Sequence, residues 1–85
     1  MTLAEFFKIQ LVWGKGLVVA GYDSAHFRKD DFGYWIKKSD YGNRKSQYGW
    51  EIDHIVPESK NGSDAFSNLR PLHWRVNASR QDGRF

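Results

Sequence analysis

An acid and a histidine stand side by side at Asp53 and His54, an asparagine follows at Asn68, and a second asparagine at Asn77. A carboxylate and an amide oxygen are hard ligands that suit Mg²⁺ or Mn²⁺ and leave coordination positions for water and phosphate. An imidazole with an ordinary pKa of about 6.5 is largely free at neutral pH to take a proton from water attacking a phosphodiester. A metal beside it would stabilise the charge that develops on the phosphorane and the leaving oxygen. Taken singly, each residue has a plainer reading. Asp-His pairs are common, Asn68 serves equally as a loop residue or helix cap, and Asn77 as an exposed helix position. Their joint order and spacing carry the chemical reading.

The elements that must position them follow from local pattern. Trp50 to Ile55 alternates in the manner of a short strand, closed by Pro57. Adjacent strand residues face opposite ways, so the strand must twist or stop between Asp53 and His54 if both are to serve one site. Asn61, Gly62, Ser63 and Asp64 are turn formers, and Leu69 to Leu72 reads as a returning strand that Pro71 makes irregular or an edge. From His73 or Trp74 to about Gln81 nothing interrupts a helix, and Gly83 is placed to end it. Asn77 and Arg80, three residues apart, share one face of that helix.

Strand, loop, strand and helix with these residues, spelled WEIDHIVP and NLRPLHW, resemble the HNH endonuclease family and its ββα-metal motif. The resemblance is strong over roughly the last third of the chain and places the motif at about residues 50–82. It implies metal-dependent hydrolysis of DNA, with RNA also admitted. By it Asp53 is a metal ligand, His54 the general base, Asn68 the middle residue bracing loop and base, and Asn77 the second protein ligand. Arg80 falls where relatives often carry a basic residue. Many relatives have histidine where this chain has Asn77, which makes it an H-N-N version and points to Mg²⁺ or Mn²⁺, with Zn²⁺ or Ni²⁺ admitted. His73 is the nearest substitute should Asn77 not bind. Zinc-bearing relatives place two cysteines around the second strand and helix; here His73 and Val76 stand there and the chain has no cysteine, so a structural zinc of that kind is excluded.

The remaining sequence reads as support. Eighty-five residues make one α+β domain, 1–85, with an N-terminal helix and extended segments packed behind the motif. Without disulfides, the dense core must come from aromatics, 16% of the chain and including four Trp. Thr2 and Glu5 have capping-box spacing, and Leu3, Phe6, Phe7 and Leu11 recur at helical spacing up to Gly14, a stripe expected in the core. Leu17 to Ala20 and Tyr34 to Ile36 read as further extended segments.

A net charge of +3 and a sequence pI near 9.3 suit a partner that is a polyanion. HFRKDDFG resembles lead-ins of small HNH proteins, making Arg28 and Lys29 candidate phosphate contacts, or else partners of Asp30 and Asp31. Lys37, Lys38, Arg44 and Lys45 are interleaved with Tyr41 and Tyr48 and, with Arg75 and Arg80, form the expected nucleic-acid surface. The competing reading is a solvated loop turning at Asp40, Gly42 and Asn43. No long apolar run or leader appears, so a cytoplasmic, non-membrane protein is expected. No separate DNA-reading module is present, so sequence specificity would need a partner protein or a homodimer. Two alternatives remain open. A non-cleaving binding or assembly module is opposed by the intact Asp53, His54 and Asn77, and a secreted toxin domain by the Met start, the lack of a translocation region and the low histidine content.

Overall fold

Thr2 begins the first helix with a reciprocal cap. In the computed structural model, which describes residues 1–81, its hydroxyl accepts from the Glu5 amide at 3.1 Å while the Glu5 carboxylate reaches back to the Thr2 backbone. Helix α1 spans Leu3–Trp13. The stripe expected in the core is not the buried one: Leu3, Phe6, Phe7 and Leu11 are exposed, and Ile9, Val12 and Trp13 are buried. The helix is apolar around most of its circumference, so its pattern does not choose a face. The choice falls to the i, i+3, i+4 set that meets Trp50, with the Trp13 and Trp50 rings 5.3 Å apart.

Strands β1, Phe27–Lys29, and β2, Trp35–Lys37, form one antiparallel pair, and β3, Trp50–His54, and β4, Leu69–His73, another. Helix α2, Trp74–Gln81, follows β4 directly; Gly83, read as its stop, lies outside the described residues. In a two-stranded sheet every strand is an edge, which is why Pro71, opposite Ile52, is tolerated in β4. Leu17 makes only an isolated bridge to Lys29, and Val18 is exposed, so the expected segment at 17–20 is neither a full strand nor packed. No helix among the described residues is long and apolar enough to cross a membrane.

Two-stranded sheets are marginal alone, and here buried groups join them. Ile9, Val12 and Trp13 of α1, Ile36 of β2, Trp50 of β3 and Leu69 of β4 make one core. Asp30, in the turn between β1 and β2, is fully buried. One carboxylate oxygen accepts from the amides of Phe32 at 3.0 Å and Tyr34 at 2.9 Å, and the other from the amide of His73 at 2.9 Å. His73 is committed as well: Nε2 donates to the Gln47 carbonyl at 2.8 Å and Nδ1 accepts from the Arg75 amide at 3.1 Å. At the end of α1, Lys15 donates to the carbonyls of Phe66 and Leu69, tying the helix to the start of β4.

Candidate active site

Along β3, Glu51 and Asp53 point to one face because side chains alternate, and α2 lies over that face. A helix advances about 4.5 Å over three residues and a strand about 6.6 Å over two, close enough for Asn77 and Arg80 to meet Glu51 and Asp53 respectively. Asn77 Nδ2 donates to Glu51 Oε1 at 2.8 Å, and Arg80 Nε to Asp53 Oδ1 at 3.2 Å. Arg70, opposite Asp53 in the ladder, donates from Nε to Oδ2 at 2.8 Å. The buried Asp53 carboxylate is thus held between two guanidinium groups, which offset the cost of taking its charge from water. Each oxygen retains a further lone pair. Arg80 also reaches the Ile55 carbonyl at 3.2 Å, pinning the end of the strand.

His54 is the last residue of β3, and the chain turns away just after it. Its Nε2 lies 2.7 Å from Asp64 Oδ1 and 3.4 Å from Glu58 Oε1, both on the following loop. The Asn68 side chain closes that loop, accepting from the Val56 amide at 2.9 Å and donating to the carbonyls of Val56 at 3.1 Å and Ser63 at 2.7 Å. At Gly62 a Cβ would collide with the Val56 carbonyl, so only glycine permits this close approach. The hydrogen bond to His54, followed by the charges of His54 and Lys8, holds the Asp64 carboxyl below its usual range.

Asp53, His54, Asn77 and Arg80 line a single open cleft of about 490 Å³, with Glu58 and Lys60 on its loop side. The strand is regular through Asp53 and His54, and its end at His54 lets both residues reach the cleft. Asn77 is buried with its amide nitrogen held by Glu51, and among the described residues none donates to its Oδ1. Glu51 is itself gripped by Arg44, through bonds of 2.7 and 2.8 Å. Those bonds, then the one from Asn77, hold its carboxyl low despite partial burial.

The stability linked to Glu51 is therefore fully present above the unfolded carboxylate pKa of about 4.3 and lost as pH falls through the lower folded value. Parent and Glu51→Gln should differ by about 1 kcal/mol in urea unfolding at neutral pH, the pair being partly exposed, and the gap should close as pH drops below about 4. A gap that does not change with pH would show that the Glu51 charge is not what holds Arg44 and Asn77.

A second donor set was not legible beforehand. His54, Glu58 and Asp64 each offer a ligand atom within 4.8 Å of the others. Only the HIVPE spacing and an acid in the turn cluster hinted at it. His73, with both ring nitrogens engaged and the residue buried, is not disposed to replace Asn77.

The basic residues divide by partner. Arg28 donates to the carbonyls of Ser24, Gly14 and Gly16, bracing the turn after α1, and Lys29 lies over the Trp35 ring. Among the described residues neither pairs with Asp30 or Asp31; Asp30 serves backbone amides and Asp31 pairs with Arg70. Lys37 lies over Phe27 and Arg75 over Trp74, Arg44 is bound to Glu51, Lys38 is half-buried and Lys45 exposed. Tyr41 packs on Trp50 and Tyr48 on Phe27, so these rings face protein partners. Arg80 alone of the expected contacts lines the cleft, joined by Lys60, which the sequence did not single out.

A family model described as HNH endonuclease matches residues 37–82, just over half of the chain and the whole of β3, its loop, β4 and α2. The comparisons with curated proteins and with solved structures returned no match.

Proposed function

From the premise that the chain belongs to the HNH endonuclease family, we propose that it cuts DNA by metal-dependent hydrolysis of phosphodiester bonds. The observation that carries this reading is the convergence of Asp53, His54 and Asn77 on one cleft from a strand and a helix. The donor chemistry fits a hard divalent ion. Asp53 keeps carboxylate lone pairs beyond those its arginines use, and Asn77 has its nitrogen anchored so that the amide oxygen is the atom left to bind. Mg²⁺ or Mn²⁺ held there would supply charge stabilisation at the phosphorane and the leaving oxygen. His54 takes the proton of the attacking water, Asn68 fixes the loop beside it, and Arg80 and Lys60 offer positive charge to the phosphate. We assign the ion to Asp53 and Asn77 and not to the His54 set, because an imidazole bound to metal cannot also serve as base.

Purified protein should convert supercoiled plasmid to nicked or linear forms with Mg²⁺ or Mn²⁺ and stop on chelation. Asp53→Asn, which keeps the shape and one acceptor oxygen, should weaken metal binding and cutting together. Cutting that persists in chelator would remove the metal from the reading, and folded protein inert towards DNA and RNA with every divalent ion tried would favour a binding module.

A further inference from the structure

We propose that Asp64 is a positioning residue for this reaction, holding the His54 imidazole with its proton on Nε2 and leaving Nδ1 as the atom that accepts the proton of the attacking water. The inference rests on the nuclease reading above and specifies the working atom of its base. Nε2 is 2.7 Å from Asp64 Oδ1, with Glu58 Oε1 at 3.4 Å on the same nitrogen. An ionised carboxylate only accepts, so the ring nitrogen between two of them must be the donor. In a neutral imidazole the lone pair then belongs to Nδ1, which among the described residues has no hydrogen-bond partner.

Asp64 is not there by the reach of a loose side chain. Asn68 grips the carbonyl of Ser63, the residue before it, and Gly62 lies against the Val56 backbone. The bracing by Asn68 is thereby transmitted to the base through Asp64. In the step itself one water O–H bond breaks and its proton passes to Nδ1. The water oxygen bonds to phosphorus, and the phosphorus–oxygen bond to the leaving group breaks, the leaving oxygen taking a proton from solvent. The imidazolium so formed keeps its Nε2–H on Asp64, whose negative charge stabilises it.

The test uses the full chain with ¹⁵N-labelled histidine at about pH 8, above the ordinary imidazole pKa. Long-range ¹H–¹⁵N correlations should show His54 in the parent with Nε2 protonated and Nδ1 bare. Asp64→Ala should give a mixture of tautomers and lower kcat by about 10- to 100-fold with KM little changed, and Asp64→Glu should recover part of both. Asp64 is largely exposed, with 79% of its side chain open, so the melting temperature should hold. A parent with the proton on Nδ1, or an Asp64→Ala protein with unchanged spectrum and kcat, would overturn the inference. If instead His54→Ala cuts like the parent, the nuclease reading fails, while the spectra still decide whether Asp64 sets the tautomer.

Discussion

His54→Ala is expected to lose nearly all turnover, by about two to four orders of magnitude, while melting temperature and DNA affinity stay close to those of the parent. The separation follows from what the side chain touches. Its polar contacts among the described residues are two carboxylates that are themselves mostly exposed, with side-chain accessibilities of 72% and 79%. Removing it therefore leaves no buried group unpaired. Asp53→Ala cannot separate the roles in this way, because it would strand Arg70 and Arg80 around an empty buried position and cost stability as well as activity. Single-turnover cleavage alongside thermal unfolding of His54→Ala makes the distinction. A variant that cuts normally would mean another group takes the proton, and one that unfolds would make His54 structural.

The largest effect on stability is expected at Asp30, which does not line the cleft. Asp30→Ala removes three acceptor contacts, a buried one to the amide of His73 and two half-buried ones to the amides of Phe32 and Tyr34. A buried donor left unsatisfied costs about 1–3 kcal/mol and a half-buried one less, so the total is about 3 kcal/mol against a domain stability of roughly 5–15 kcal/mol. For a chain of this size that lowers the melting temperature by about 12–24 °C. Asp30→Asn should fall between, since whichever way the amide turns, its NH₂ must face an amide donor. Circular dichroism melts of the three proteins are sufficient. An Asp30→Ala protein within about 1 kcal/mol of the parent would refute the assignment of Asp30 as the joint between the hairpins.

Much of the motif could be read from the chain because its signals are local. Alternation and Pro57 bound β3, the unbroken run after His73 gives α2, and a three-residue spacing puts Asn77 beside Arg80. What stayed hidden depends on distant partners. Asp30 looked like one half of a surface ion pair, yet an amide 43 positions away gives it its place. Arg28 looked like a phosphate contact, while its guanidinium serves carbonyls of the turn after α1. Glu58 and Asp64 could be placed beside His54 only once the path of the loop was known. The stripe on α1 misled because a helix with apolar residues on every side carries no instruction about which side goes in.

The attachment of α1 to β4 also has a consequence for how the protein is made. Lys15 and its helix leave the ribosome before β4, since the Leu69 carbonyl that Lys15 binds lies 54 positions later. At about 5–20 residues per second the wait is roughly 3–10 s. Throughout it Ile9, Val12 and Trp13 lack Leu69, the last member along the chain of the core they belong to, and that apolar face stays open to premature association. Asn77 and Arg80 emerge later still, so the core cannot close before β4 nor the cleft before α2, and a chain cut short before β4 has neither.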